Sequence, residues 1–465
     1  MKRIYFISLG VLLFSCNPKN EHIVQGPNIL FIMSDDHAKH ALSCYGGNID
    51  STPNIDRLAE EGMMFNHCMV TNSLCAPSRA AILTGKYGHL NSVKINREDT
   101  FDNTQEHLGK WMTAAGYQTA LIGKWHLRSE PTGFDYWKIL PGQGEYWDPE
   151  MIETGKKSVN KGYVTNIITD ETINWIKNRD KNKPFFVMTH HKAPHVDHHP
   201  GNKHKHLYTN VDLPIPENFH DDFSTRKARH ESILRWTSFD SINVWDRQGD
   251  PPAGLTNRQY REWCYQNFFK GYYRVCESLD ENVGRLIDFI DDSGLKENTI
   301  VIYISDNGFF LGDHGWYNKM WMYEESLHIP FVIRYPKEIK PGTINDDLVM
   351  NIDFAPTFLD YAGIAIPDDI QGSSIRQLFT GNTPASWRKT VYYRYFDRHI
   401  EQHYGIRTNK YKLIYYPGLK DYELFDLELD LHEMNNVFDD QAYSEIAEML
   451  KAELKRTKEK YEDYE

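Results

Sequence analysis

Asn28-Ile29-Leu30-Phe31-Ile32-Met33 is an unbroken apolar run after its first residue, and it stops at Ser34-Asp35-Asp36. A strand of this kind, without polar alternation, suits a parallel sheet covered on both faces. The same shape recurs downstream. Residues 119–122 lead into Gly123-Lys124-Trp125-His126, residues 185–189 into His190-His191, and residues 299–304 into Ser305-Asp306-Asn307-Gly308. Between the last two strands, Val275, Leu279, Val283, Leu286, Ile287 and Ile290 fall at helical spacing and form a core-facing stripe. Alternating strands and helices predict an α/β domain with a large, mostly parallel sheet flanked by helices. In such sheets ligands bind outside the carboxyl ends of the strands. Asp35, Asp36, Lys124, His126, His190, His191, Asp306 and Asn307 all stand there, so a site is expected at that edge.

Outward from this core the texture changes. Residues 194–262 have few periodic apolar runs and read as long surface loops. From about residue 386 short aromatic strands appear at 391–396, 411–416 and 423–427, followed by a polar helix over 441–461. The expected organisation is a catalytic domain over 27–385 and a small antiparallel C-terminal subdomain over 386–465. Residues 1–15 form an export signal, with Lys2 and Arg3 ahead of a short apolar run, and residues 16–26 a tether. Leu13-Phe14-Ser15-Cys16 resembles a lipobox, which makes Cys16 the expected lipidation site and a lipid anchor the expected link to a membrane. The expected location is then the periplasm or the outer membrane of a Gram-negative bacterium.

The 465 residues carry 52 Lys+Arg against 65 Asp+Glu, a net charge of −13. No basic surplus exists to neutralise phosphates, which argues against nucleic acid as a partner. An anionic substrate must then be held by a local cationic pocket. Six cysteines, Cys16, Cys44, Cys68, Cys75, Cys264 and Cys276, show no CxxC pair, so a structural zinc site is not expected. Removing a lipidated Cys16 leaves an odd number.

Cys75-Ala76-Pro77-Ser78-Arg79 opens a helix, because Pro77 suits a first turn. Orphan N–H groups there favour anions, and Arg79 adds a cation one turn on. This environment is expected to depress the thiol pKa and suit a nucleophile. Asp35, Asp36, Asp306 and Asn307 supply hard oxygen donors, which suit Ca²⁺ or Mg²⁺. His190, His191, His195, His198, His199, His204 and His206 crowd seventeen residues and read as solvated loop histidines rather than a second metal site.

The stretch from Cys75 through Leu83-Thr84-Gly85 meets every fixed position of C-x-P-S-R-x-x-x-L-T-G. It resembles the type I, formylglycine-dependent sulfatases of the alkaline-phosphatase superfamily, and ordered motifs extend the resemblance over roughly residues 27–433. Gly123-Lys124-Trp125-His126-Leu127, Ala193-Pro194-His195, Gly312-Asp313-His314-Gly315 and the segment from Lys319 to Ser326 continue it. The resemblance implies an alkaline-phosphatase-like sandwich and a sulfuric ester hydrolase. Cys75 is then oxidised to formylglycine by a maturation enzyme, and its hydrate is the nucleophile. Ca²⁺ is held by Asp35, Asp36, Asp306 and Asn307 together with position 75. Arg79, Lys124 and Lys319 hold the sulfate. His126 stabilises the hydrate and serves as a later base, Asp306 draws off its proton, and His195 protonates the leaving group. His314 is expected to be structural, and His328 stands where the family usually has Arg.

Within that family, Leu140-Pro141-Gly142-Gln143-Gly144-Glu145-Tyr146-Trp147-Asp148-Pro149 looks like bacterial glycan sulfatases of the N-acetylglucosamine-6-sulfatase type. His399, His403 and Arg407 resemble the strip that closes over the sugar. The expected substrate is a sulfated oligosaccharide or monosaccharide of heparan sulfate or mucin type, attacked from its end. A phosphodiesterase or phosphonate monoester hydrolase on the same scaffold, or a glycan-binding lipoprotein without turnover, are the alternatives.

Overall fold

The structure, a computed structural model, describes residues 26–227 and 249–465. Cys16, the expected signal over 1–15 and nearly all of the expected tether lie outside them. A ten-stranded sheet organises the described chain. Its strands are β1 (Asn28–Asp35), β2 (Met63–Phe65), β3 (Gln118–Lys124), β4 (Tyr136–Leu140), β5 (Glu150–Glu153), β6 (Lys156–Val159), β7 (Phe185–Pro194), β8 (Thr299–Ser305), β9 (Phe331–Arg334) and β10 (Thr343–Asn345). They lie in the order β10-β2-β9-β8-β1-β7-β3-β4-β5-β6. The five central strands from β8 to β4 are parallel. Antiparallel neighbours flank them, β9 beside β8 and β5 beside β4.

Each of the four runs that announce this sheet is a central strand. All eight residues of β1 are buried. Ile29, Phe31 and Met33 face one core, while Leu30 and Ile32 face the other. Period-2 alternation therefore divides a continuous apolar run between two helix layers. Helices α1 (Pro53–Glu60), α3 (Val164–Asn178) and α4 (Asn257–Asp292) pack on the Leu30 side. Helices α2 (Cys75–Thr84) and α5 (Phe354–Tyr361) pack on the Phe31 side.

Helix α4 corrects the loop expected to run to residue 262. It begins at Asn257, where Thr256 and Gln259 form a capping box: Thr256 Oγ1 accepts from the Gln259 N–H (3.3 Å) and Gln259 Oε1 accepts from the Thr256 N–H (2.9 Å). Its predicted stripe, Val275 to Ile290, is wholly buried. Residues 195–226 have no regular helix or strand.

The C-terminal sheet is an antiparallel meander of β11 (Thr390–Tyr395), β12 (His403–Thr408), β13 (Tyr411–Tyr416) and β14 (Asp421–Asp426), backed by helix α6 (Ser444–Lys460). Strand β12 was not expected, since His403-Tyr404-Gly405-Ile406-Arg407-Thr408 has no apolar run. Gly405 is required there, because a Cβ would lie 2.2 Å from the Leu413 carbonyl oxygen.

Candidate active site

Helix α2 is buried along all ten residues. Its N-cap residue, Leu74, offers no capping side chain, and Asn96 supplies one from another segment, its Oδ1 accepting from the Ala76 N–H at 2.9 Å. Gly85 ends the helix at φ 69°, a conformation that favours glycine. Cys75 thus sits at a capped helix start with no solvent exposure. Its Sγ donates to Asp35 Oδ1 at 3.3 Å, and Lys319 Nζ lies 3.4 Å from the sulfur.

The pairing of Ser34 with Ser305 across β1 and β8 brings Asp35-Asp36 beside Asp306-Asn307. The Asp36 N–H donates to Asp306 Oδ1 at 3.2 Å. Asp35, Asp36, Cys75 and Asp306 each offer a ligand atom within 4.8 Å of the others. Asn307 donates through Nδ2 to Asp36, while its buried Oδ1 has no hydrogen-bond partner. Three carboxylates and an orphaned carbonyl oxygen, all buried, fit one hard divalent cation. Asp306 and Asn307 lie just past the last residue of their strand. Asp36 adopts the left-handed region at φ 69°.

Three cations answer the three carboxylates. Arg79 Nε donates to Asp306 Oδ2 at 2.9 Å, Lys124 Nζ contacts Asp35, and Lys319 Nζ contacts Asp36. Arg79 Nη1 also donates to the Lys124 carbonyl at 2.6 Å, leaving a buried Nη2 without a hydrogen-bond partner. Asn318 (φ 78°) and Met320 (φ 94°) bend the chain on either side of Lys319, an uncommon backbone for such residues.

Burial pushes Asp36 up from the usual carboxylate range, with Asp306 adding to the effect and Lys319 opposing it. Burial alone would lower Lys319, but Asp36, Cys75 and Asp306 together hold it above its ordinary value. Lys124 is lowered, chiefly by burial. The Cys75 thiol corrects an expectation: burial drives it up to about 12, outweighing Lys319 and Arg79. Desolvation defeats the helix terminus and the cations here because the sulfur has no access to water.

Among the crowded histidines, His195 lines the central cavity, with Nε2 3.8 Å from Asp36 Oδ2. Its Nδ1 donates to the Val196 carbonyl at 2.5 Å, so Nε2 is the nitrogen that can exchange a proton. His126 lines the same cavity, and its Nδ1 is buried without a hydrogen-bond partner. Burial lowers both histidines. His190 instead supports the Lys124 carbonyl (3.0 Å) from behind, and His191 is wholly buried outside the cavity lining. The solvated reading of this cluster is corrected: His190, His191, His195, His198 and His204 are buried, and only His199 and His206 are exposed. His190 and His191 are buried because the strand continues to Pro194, five residues beyond its apolar run, whereas His198 packs on Phe268 and Tyr272 of α4 and His204 bonds Ser278 of the same helix (2.8 Å).

The cavity is about 440 Å³ and opens beside Asp36, His126, His195 and Lys319. His399 lines it, held at Nδ1 by Asp397 (2.5 Å). His403 and Arg407 do not line it, which corrects their expected contact with sugar. His403 is buried in an aromatic stack against Trp321, Tyr393 and Tyr395. Arg407 is buried and bonded to Glu324 at 3.0 Å. His314 is a buried partner of Asp221 (2.6 Å), and His328 pairs with Glu324 (3.2 Å). Asn96, Arg97, Arg128, Gln143, Asn318 and Asp397 also line the cavity and were not singled out from the sequence. Among them Gln143 alone carries a signal, since it stands between two glycines in the 140–149 stretch that resembles glycan sulfatases. The five described cysteines form no disulfide.

Residues 27–364 match the family model described as sulfatase, and residues 312–460 one described as N-sulphoglucosamine sulphohydrolase, C-terminal. An N-acetylglucosamine-6-O-sulfatase of Bacteroides thetaiotaomicron is 42% identical over 97% of this chain and 89% of its own length. An arylsulfatase of Clostridium perfringens is 27% identical over 94% of this chain and 96% of its own. A solved structure in complex with its substrate, D-glucosamine-2-N,6-O-disulfate, superposes with a TM-score of 0.91 at 41% identity, covering 95% of this chain and 99% of that one. A phosphonate monoester hydrolase of Agrobacterium radiobacter shares the fold, with a TM-score of 0.76 at 21% identity. Sequence and superposition, each over nearly the whole chain, make this protein a member of the sulfatase family.

Proposed function

We propose that the enzyme hydrolyses the 6-O-sulfate ester of a glucosamine or N-acetylglucosamine unit at the end of a sulfated glycan. One observation carries this: Arg79, Lys124 and Lys319 converge with the start of the Cys75 helix on one cluster of buried carboxylates. The three cations and three carboxylates cancel, so a bound dication leaves the site positive and able to take an anionic ester. A cavity of about 440 Å³ suits a single sugar. The choice of sugar and sulfate position is supported by the relative named N-acetylglucosamine-6-O-sulfatase and by the solved structure that holds a 6-O-sulfated glucosamine.

Asp35, Asp36, Asp306 and Asn307 would hold Ca²⁺, which supplies charge neutralisation for the sulfate oxygens. Oxidation of Cys75 to formylglycine would supply a hydrated aldehyde whose hydroxyl attacks sulfur. The remaining work falls to the chain's own side chains. Arg79 Nη2, Lys124 and Lys319 orient the sulfate and stabilise the charge growing in the transition state. Asp306 accepts the proton of the attacking hydroxyl. His195 Nε2 delivers a proton to the departing sugar oxygen, and His126 removes one to complete the cycle. The same reading has the enzyme exported and lipid-anchored at Cys16, which rests on residues 1–16 and is checked by fractionation of a Cys16→Ser variant.

The test is mass spectrometry across residues 71–86 of protein made in a host with a formylglycine-generating enzyme, followed by assay on N-acetylglucosamine-6-sulfate and a phosphodiester. A thiol-to-aldehyde conversion at position 75, and sulfate release that Cys75→Ala abolishes, are expected. Preferential turnover of the phosphodiester would overturn the sulfatase reading.

A further inference from the structure

Lys124 ends β3 and His195 follows the end of β7, so two groups on different strands must keep a fixed separation around the carboxylate cluster, Lys124 at Asp35 and His195 near Asp36. The loop that spans them leaves β4, the next strand along. Lys124 pairs with Leu140, the last residue of β4, and Gly123 pairs with His190 of β7. Chain leaving β4 therefore begins beside Lys124 and has only one strand to cross to reach the His195 turn.

The loop is built for that crossing. Gly142 (φ 56°) and Gly144 (φ 71°) both adopt the left-handed region, and the Gly144 N–H donates to the Pro141 carbonyl at 3.1 Å. A Cβ on Gly144 would meet Leu140 Cδ1 at 2.7 Å. The resulting tight turn carries Gln143 to the cavity wall, where its Oε1 accepts from Lys124 Nζ. Three residues on, buried Tyr146 donates its hydroxyl to the His195 carbonyl at 2.5 Å. Lys192 stands over the Tyr146 ring at 4.8 Å and donates to the Val196 carbonyl at 3.1 Å, the same oxygen that fixes His195 Nδ1. The loop is anchored in turn by the N–H of Val164, the first residue of α3, which donates to the Tyr146 carbonyl at 2.8 Å.

We infer that loop 141–146 is a positioning brace, in which Gln143 holds the sulfate-facing Lys124 and Tyr146 holds the turn that aims His195 at the leaving group. The inference rests on the roles given to Lys124 and His195 under the proposed function. Both are positioning residues: neither breaks a bond, but each fixes a group whose misplacement is costly to the reaction.

The test uses calcium-loaded enzyme with position 75 converted, and N-acetylglucosamine-6-sulfate as substrate. Tyr146→Phe removes one hydroxyl and keeps the ring packing. It should lower kcat about tenfold with KM within about twofold, because only the leaving-group step is misaligned. In a His195→Ala background, which retains the carbonyl but has no ring to aim, the same substitution should change kcat by less than about twofold. Gln143→Ala should raise KM as well as lower kcat, since Lys124 meets the sulfate in the bound substrate. Independent, multiplicative effects of Tyr146→Phe and His195→Ala would overturn the Tyr146 half of the brace, as would a fall in thermal stability with no change in kcat. A Gln143→Ala enzyme with wild-type KM would overturn the other half. Wild-type kcat in His195→Ala alone would instead refute the acid assigned under the proposed function, and the Tyr146 half with it, leaving Gln143 to be judged on its own KM.

Discussion

Arg79 uses its guanidinium in three directions, toward Asp306, toward the Lys124 carbonyl and, through Nη2, toward Asp35 at 3.9 Å, too far for a hydrogen bond. A lysine carries the charge but not the planar fork. Arg79→Lys should therefore lower kcat/KM by roughly 10²–10³-fold, as loss of a preorganised donor to a transition-state oxyanion does; steady-state kinetics on protein with verified conversion at position 75 would check it. Asp35, Asp36 and Asp306 make a complementary prediction, since three buried carboxylates gain from a dication. Chelation should abolish turnover and lower Tm, with Ca²⁺ restoring both, and at 100-fold excess over Kd the ligand contributes about 2.7 kcal/mol. These residues were legible in the sequence because each follows a strand or opens a helix within one contiguous motif. The contacts of Asn96 with Ala76 and of Gln143 with Lys124 were not, because each joins segments some twenty residues apart, which spacing cannot reveal.

At the scale of the element, helix α1 shows how such contacts stabilise secondary structure. It begins at Pro53 without a capping side chain of its own, and Asp280 of α4 fills the role. The Asp280 carboxylate accepts from the N–H of Ile55 (2.9 Å), the N–H of Asn54 (3.2 Å) and Asn54 Nδ2 (2.7 Å). Asp280→Ala should cost about 1–3 kcal/mol in denaturant unfolding, since it leaves buried donors unpaired. Burial raises the Asp280 pKa from 3.8 to about 6 despite these bonds. The folded state thus holds this proton more tightly than the unfolded chain. The stabilisation it brings is complete below pH 4 and is lost as pH rises through 6. Relative to Asp280→Asn, the wild type should lose stability across that window; parallel pH profiles for the two proteins would contradict the assignment. Strand β12 makes the same point about legibility. His403 and Arg407 face buried partners, and nothing in their own hexapeptide says so.

Across the whole molecule, the C-terminal sheet grips the loop that carries Lys319. Glu324 receives Arg407 from β12 (3.0 Å) and Lys412 from β13 (2.7 Å). Lys412 also pairs with Glu433 (2.7 Å), whose second oxygen accepts from the Glu324 N–H (2.8 Å). Burial pushes Glu433 up to about 7, with Lys412 opposing. Removing the one ammonium between two buried carboxylates should destabilise the protein strongly: Lys412→Met is expected to cost about 3–5 kcal/mol, measured by chemical denaturation. The parallel core was legible in outline, because four of its five central strands are the four apolar runs. The grip of one sheet on the other's loop was not, because charged residues in a sequence read as surface until their partners are known.

The central place of β1 has a consequence in time. Asn28 bonds the Phe185 N–H 157 residues further on and Thr299 271 residues further on. At about 5–20 residues per second, the first strand made waits roughly 15–50 s for its second neighbour to be synthesised. During that interval an edge with five consecutive apolar residues, Ile29 to Met33, is unpaired, so a nascent chain that ends before β8 is a template for aggregation rather than a partial enzyme.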